Sequence, residues 1–372
     1  VQTDIDTTFR TEEIEVNMGP QHPSTHGVLR LILKLDGERV VSAKPDIGFL
    51  HRGMEKLAEK RTYPQYLTLT DRFDYLASMF NNYVYCAAVE KLMGLQIPPR
   101  AQALRVLVME LNRIASHLVF YGTMGLDLGA STPFIYGFRE REAILDLFES
   151  LCGSRLTFSY MRIGGVSHDI PDGFIEGARE FLGYFPKKIE EYDNLLSLSE
   201  ILIVRTRGIA PVSGEEMVNW GVSGPMLRAS GVPWDLRKTE PYSGYENYDF
   251  DIATLPDGDT YARYLVRIEE LRQSARIVAQ VLDNLPDGSV TAKVPRAIKP
   301  PEGESYARVE SARGEIGCYI VSDGSTKPYR LKWRGPCFSN LAVIGRMAPG
   351  ILLADLVAAL GSFDLVLGEV DR

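Results

Sequence analysis

Between residues 99 and 121, Leu104, Leu107, Val108, Leu111, Ile114, Ala115 and Leu118 recur at i, i+3, i+4 spacing behind the pair Pro98-Pro99. That is the period of a helix whose apolar face must be covered by other helices. The neighbouring segments carry helical patterns that can cover it. They run over residues 54–60, 74–93, 133–152, 172–197 with a break at Pro186, and 260–284 with mixed charges on its polar face. A bundle of four or five helices is the core this chain has to build.

Strands flank the bundle. EEIEVNMG and HGVLRLILKLDGERVVSAKPDIG alternate apolar and polar residues, and Asp36-Gly37 separates two of the runs as a hairpin turn does. Near the other end, Pro295, Pro300 and Pro301 mark a linker before SYARVESARGEIGCYIVSDGSTKPYRLKWRG, which reads as a two- or three-stranded sheet. Residues 204–250, rich in Gly, Pro, Tyr and Trp, read as loops around one short helix at 215–220, and the chain closes with a helix near 354–360 and a tail. The expected fold class is therefore α+β: a central helix bundle with an N-terminal antiparallel sheet and a small C-terminal sheet. The expected units are residues 1–51, 52–290 and 291–372.

Composition narrows the function. Forty-one Lys plus Arg against 49 Asp plus Glu give a net charge of −8, no footprint for a nucleic-acid binder. No apolar run approaches the ~20 residues that cross a bilayer, and no basic segment followed by an apolar core marks a secretory signal. Cys86, Cys152, Cys318 and Cys337 include no CxxC pair, so they read as four buried free thiols rather than a metal site.

The chemically interesting residues are few. GPQHPSTHG holds two prolines and two glycines, which makes it a loop; His22 and His26 within it fit a functional loop better than a helical metal pair. Glu110, Arg113 and His117 share a helical face and read first as an inter-helix or solvated ion pair. Tyr63, Tyr66, Asp71, Arg72, Asp74 and Tyr75 cluster at a helix start, where they serve as cap and core or hold and protonate a bound oxygen. Asp127 sits in a Gly-rich break between two helices and reads as a turn residue. RGEIG lacks GxxxxGK and is no phosphate loop.

GPQHPSTHGVLRL, IGFLHRGMEKLAE, DRFDYL, ELNRIASHL, LRASGVPWDLRK and GEVDR, six blocks in order across nearly the whole chain, resemble the 49 kDa (D-type) subunit family of respiratory complex I. That family in turn resembles the large subunit of nickel–iron hydrogenases. The four hydrogenase thiolate positions correspond here to Asp74, Ala77, Val366 and Glu369, and none is cysteine. A soft-metal centre needs thiolate donors, so the resemblance implies a vacated cavity that receives a quinone headgroup. It also implies His26, Tyr75 and Asp127 as catalytic residues, and His26, Tyr75, Thr123, Met124 and Val366 as quinone contacts.

The same resemblance implies that this chain binds no cofactor alone. A 4Fe–4S cluster on a neighbouring B-type subunit would deliver the electrons, with Arg52 lying against it. The implied partners are that B-type chain, a C-type 30 kDa subunit and an H-type membrane subunit. The implied location is peripheral, on the cytoplasmic side of the cell inner membrane. Two departures carry consequences. Thr157 stands where many relatives have a cluster-side His, so proton-coupled cluster reduction through that side chain is not available. The segment 293–303 passes almost directly to the late sheet where many relatives carry some thirty extra residues, as in shorter forms of some bacteria and of archaeal coenzyme F420-type dehydrogenases, which leaves NADH, F420H2 and ferredoxin all open as the electron donor. A non-catalytic scaffold subunit of a hydrogenase-related or F420/ferredoxin-dependent membrane oxidoreductase is the alternative reading.

Overall fold

Alternation in the N-terminal segment builds a three-stranded antiparallel sheet in the order β1 (Ile14–Met18), β2 (Arg30–Asp36), β3 (Arg39–Asp46). Leu31, Leu33 and Leu35 are buried on one face, and the β2–β3 turn follows Asp36, with Gly37 at φ 61°. The computed structural model describes residues 12–21 and 27–372. His22 and His26 lie outside the described residues.

Next come α1 (Met54–Ala58), α2 (Tyr63–Thr70), α3 (Ser78–Met93), α4 (Pro99–Asp127) and α5 (Thr132–Cys152). A small hairpin of β4 (Met161–Arg162) and β5 (Gly165–Val166) leads to α6 (Phe174–Tyr192), a π-helical turn (Asp193–Ser197) and α7 (Glu200–Thr206). Three short helices, α8 (Gly214–Asn219), α9 (Pro225–Arg228) and α10 (Leu236–Thr239), precede α11 (Thr260–Asp283). The second large sheet is β6 (Gly303–Ser311), β7 (Gly314–Ser322) and β8 (Arg330–Arg334), all antiparallel. The chain ends in α12 (Pro336–Ala342), α13 (Ile344–Met347), α14 (Leu353–Gly361) and α15 (Leu367–Asp371).

The 29 residues of α4 span about 44 Å and form the axis of the molecule, with α3, α5, α11 and α14 against it. Its burial extends around the whole circumference, because the helix is enclosed rather than laid on a surface. One core joins α2–α6 and α11 to the β6–β8 sheet. A second joins the N-terminal sheet to α12–α15 and the 209–227 segment. The C-terminal residues thus straddle both cores.

Several local expectations are corrected. The helix from Pro99 continues to Asp127, so Asp127 lies in its last turn and not in a break. Gly122 and Gly125 are close-packing positions: a Cβ on Gly122 would stand 2.9 Å from Phe134 Cα, and one on Gly125 2.9 Å from Pro133 Cβ. The helix expected from 74 begins at Ser78, because the Asp74 carboxylate accepts the amides of Leu76 and Ala77 and holds the preceding residues in turns. Residues 63–70 form a helix of their own, closed by a Thr62–Gln65 capping box.

Pro186 does not break α6. It lies on the exposed side, while Phe181, Phe185 and Ile189 hold the helix against the core. In α11, Arg263, Arg267 and Glu270 of the mixed-charge pattern are buried. Cys152 is half-buried, unlike the other three thiols. Residues 204–250 hold several short helices, and the expected tail is the buried α15.

Candidate functional site

Where the 71–77 turns, the β6–β7 turn, α12 and α15 converge, the fold encloses a small polar centre. Asp74 accepts Leu76 N–H and Ala77 N–H through Oδ1, at 3.0 and 3.1 Å, and the Arg313 guanidinium through Oδ2 at 2.9 Å. Arg313 occupies the β6–β7 turn, and there the backbones of Gly314 and Gly224 approach so closely that a Cβ on Gly224 would stand 2.4 Å from Gly314 Cα. Its remaining donors reach Asp364 Oδ1 (3.1 Å), the Asp364 carbonyl (2.8 Å) and Ser116 Oγ (3.1 Å). Burial opposes charge on Arg313, but Asp364 and Asp74 outweigh it and hold the guanidinium ionised. Burial likewise pushes the Asp74 carboxyl above its usual range, against the pull of Arg313.

Glu369, on α15, is fully buried. Its Oε1 accepts Cys337 N–H at 2.8 Å, whereas Oε2 has no hydrogen-bond partner among the described residues. Burial, and then the charge of Asp74, push this carboxyl up to about 8. Gly335 makes the space: a Cβ there would stand 2.8 Å from Glu369 Cγ. The Cys337 thiol takes a 3.5 Å contact from Val366 N–H, and burial raises it well above an ordinary thiol.

Tyr75 borders this centre, half-buried against the second core. Burial first, and the Asp74 charge second, raise its phenol above the ordinary value, with Arg313 opposing. Arg52 is exposed, with Nη2 donating to the carbonyls of Arg72 (2.8 Å) and Gly368 (3.3 Å). Val366 is buried and caps the start of α15. The structure therefore brings Tyr75, Val366 and Arg52 around the Asp74–Arg313–Glu369 centre.

Thr123, Met124 and Asp127 belong to the last turns of α4. Thr123 donates back to the Val119 and Phe120 carbonyls, and Met124 is buried in the first core, whereas Tyr75 and Val366 belong to the second. His26 is not described, but Gly27 beside it lies against α15, where a Cβ would stand 3.6 Å from Leu367 Cδ1. A cavity of about 370 Å³, walled by His51, Lys56, Arg330, Lys332, Phe338 and Arg372 among others, opens on the Arg52 side. Tyr75 and Val366 are not among its walls.

Sequence patterns do not single out Arg313, Asp364, Ser116 or Cys337. Arg313 sits in the RGEIG turn, whose motif is informative only for the phosphate loop it is not. A second buried network surrounds α4 and α11: Glu110 accepts from Arg113, Arg237, Tyr245 and Ser274, and Glu270 from His117 and Arg228, with Glu310 and Asp235 completing it. The inter-helix form of the Glu110–Arg113–His117 expectation is the one found, and the network holds structure together.

The family described as "Respiratory-chain NADH dehydrogenase, 49 Kd subunit" matches residues 127–300 and 292–372. A Bacillus mycoides protein named as the D subunit of NADH-quinone oxidoreductase is 54% identical over 364 residues, covering 98% of this chain and 100% of that protein. The Desulforamulus reducens protein of the same name is also 54% identical over 364 residues, with the same coverage. A Solibacter usitatus protein, named as a second D subunit of NADH-quinone oxidoreductase, is 53% identical over 368 residues, 99% of this chain and 100% of its own length. On a family match that spans most of the chain and full-length relatives above half identity, the chain belongs to the family of the 49 kDa subunit of respiratory-chain NADH dehydrogenase.

Proposed function

We propose that this chain is the subunit of a membrane-associated NADH:quinone oxidoreductase in which quinone is reduced, and that Tyr75 and His26 donate to the two quinone carbonyl oxygens. The observation that carries the reading is the Tyr75 phenol at the edge of the buried Asp74–Arg313–Glu369 centre, in a chain 54% identical over its length to proteins named as D subunits of NADH-quinone oxidoreductase. The likeness of Asp74 and Glu369 to thiolate positions of nickel–iron hydrogenases supports common descent and a cavity given over to a new ligand.

Reduction of a quinone to a quinol takes up two electrons and two protons. A phenol held protonated by burial and by the Asp74 charge is suited to donate a hydrogen bond and then a proton to a carbonyl oxygen as negative charge builds there. His26 supplies the second donor, and Asp127 is the carboxylate that keeps that imidazole protonated. The resemblance implies Thr123 and Met124, from the end of α4, and Val366, at the start of α15, as the remaining headgroup contacts. The four cysteines of this chain are dispersed along the sequence with no CxxC pair among them, the pattern expected of a chain that does not carry the cluster itself. Electrons then come from a 4Fe–4S cluster on a B-type partner beside Arg52, whose cation would stabilise added negative charge.

Among the described residues no helix is long and apolar enough to cross a membrane. Attachment at the cytoplasmic side of the inner membrane would run through the C-type and H-type partners that the resemblance implies. The test is Tyr75→Phe in the assembled enzyme. Quinone reductase turnover should fall on the order of 10²-fold while the terminal cluster still reduces. Unchanged turnover would refute the role of Tyr75.

A further inference from the structure

We infer that Glu369 is a proton-holding carboxylic acid of this site and the group that resupplies the Tyr75 hydroxyl, an assignment that rests on the reading of Tyr75 as a donor. Three observations carry it. Glu369 is enclosed, yet its Oε2 has no hydrogen-bond partner among the described residues, and Oε1 takes the Cys337 amide. Nearby charge is already balanced: Arg313 bonds both Asp74 and Asp364, and Arg267 stands 3.9 Å from Asp364, so two guanidinium groups answer two aspartates. Glu369 is the carboxyl left over. An isolated buried carboxylate is unfavourable and retains its proton instead.

Asp74 and Glu369 act on one another, so the two must be compared before the proton is placed. Asp74 accepts three hydrogen bonds, one of them from a guanidinium, all of which favour its ionised form. Glu369 is bonded through Cys337 and by no cation. The shared proton therefore resides on Glu369, in keeping with a carboxyl pushed up to about 8 by burial and by Asp74. The groups acting on Glu369 are Asp74 from the 71–77 turns, Arg313 from the β6–β7 turn and Cys337 from α12. On α15 itself, Asp371 is engaged by the Gly48 and Leu50 amides.

Asp74, Arg313 and Cys337 also act on the Tyr75 phenol, together with Arg52, so the two acids share one electrostatic environment. In sequence, the Tyr75 O–H bond breaks and its proton goes to a quinone oxygen made basic by electrons from the cluster of the B-type partner. The phenolate then takes the Glu369 proton, and the Glu369 carboxylate is reprotonated from solvent. Gly335, which leaves room for the Glu369 side chain, is the backbone feature that makes the arrangement possible.

The test uses the assembled membrane enzyme with Glu369→Gln and Glu369→Asp, decylubiquinone as acceptor, and infrared difference spectra between neutral and alkaline pH. The parent should show a buried carboxylic-acid band that titrates near the value of about 8, absent in Glu369→Gln and retained in Glu369→Asp. With subunit content and the cluster's paramagnetic signal unchanged, turnover of Glu369→Gln should fall on the order of 10²-fold. A band that persists in Glu369→Gln, its loss in Glu369→Asp, or parental turnover with a parental pH profile in Glu369→Gln would overturn the assignment. Parental turnover in Tyr75→Phe with the Glu369 band present would refute the relay and the Tyr75 reading while leaving the buried acid in place.

Discussion

Arg313 Nη1 donates to Asp74 Oδ2 at 2.9 Å across 239 residues of chain, and the same guanidinium donates to Asp364. The turn between two late strands is thereby tied to the turn before α3 and to the segment leading into α15. Replacing Arg313 by Met leaves the buried Asp74 without its cation and Asp364 with only Arg267, 3.9 Å away, a loss of about 3–5 kcal/mol. The chain should then be depleted from the assembled enzyme, as immunoblots of membranes will measure. Adding Asp74→Asn to Arg313→Met should recover part of the loss, because the second buried charge is removed as well.

Glu110 makes the sharpest stability contrast. It accepts from Tyr245 Oη at 2.6 Å and Ser274 Oγ at 2.7 Å, besides Arg113 and Arg237, all in the interior. Glu110→Ala should cost about 3–5 kcal/mol. Arg276 and Asp251 form an ion pair with side chains 43% and 78% exposed, and Arg276→Ala should cost about 0–1 kcal/mol. Thermal inactivation midpoints of the two variants will rank them, and equal midpoints would contradict the argument.

Stability should fall on both sides of a pH optimum, for opposite reasons. Burial lowers His117 beneath its ordinary 6.5, although Glu270 opposes, so below that pH the unfolded chain gains a proton that the folded one refuses. That contribution is present above 6.5 and is lost on acidification. Glu270, held well below 4.5 by Arg228 and His117 despite burial, adds to the same acid limb. Glu369 behaves oppositely: raised from 4.5 to about 8, it favours the folded state fully below 4.5 and loses that contribution as pH rises to about 8. Glu369→Gln should flatten the alkaline limb of a midpoint-against-pH curve and leave the acid limb in place.

What is legible in the sequence follows from periodicity. The spacing around Leu104–Leu118 announces an enclosed helix, and the alternation of Leu31, Leu33 and Leu35 announces the first sheet, because burial on one face leaves a trace in sequence. Arg313 and Cys337 leave no such trace, and Glu369 stands out only through its likeness to a thiolate position. They meet only after the β6–β7 turn, α12 and α15 fold together, and a charged residue in a hairpin turn ordinarily faces solvent. Asp127 is misread for a related reason: glycines at 122 and 125 resemble a break until Pro133 and Phe134 are seen pressed against them.

Two glycines separate close packing from mere helix propensity. A Cβ on Gly137 of α5 would stand 2.7 Å from the Leu118 carbonyl of α4, a backbone atom that cannot turn aside. Gly137→Ala should therefore force the helices apart and cost about 1–3 kcal/mol. Because the displaced stretch leads directly into Thr123, Met124 and Asp127, which the proposed function puts at the quinone site, quinone turnover should on that proposal drop along with the thermal midpoint. Gly183 in α6 has nothing within 4 Å of its would-be Cβ and faces outward. There the same substitution removes backbone freedom from the unfolded chain without a clash, so Gly183→Ala should stabilise by about 0.4–1 kcal/mol and leave turnover untouched. Midpoints that move in the same direction for the two variants would show that α5 does not rest on α4 as closely as this backbone contact requires.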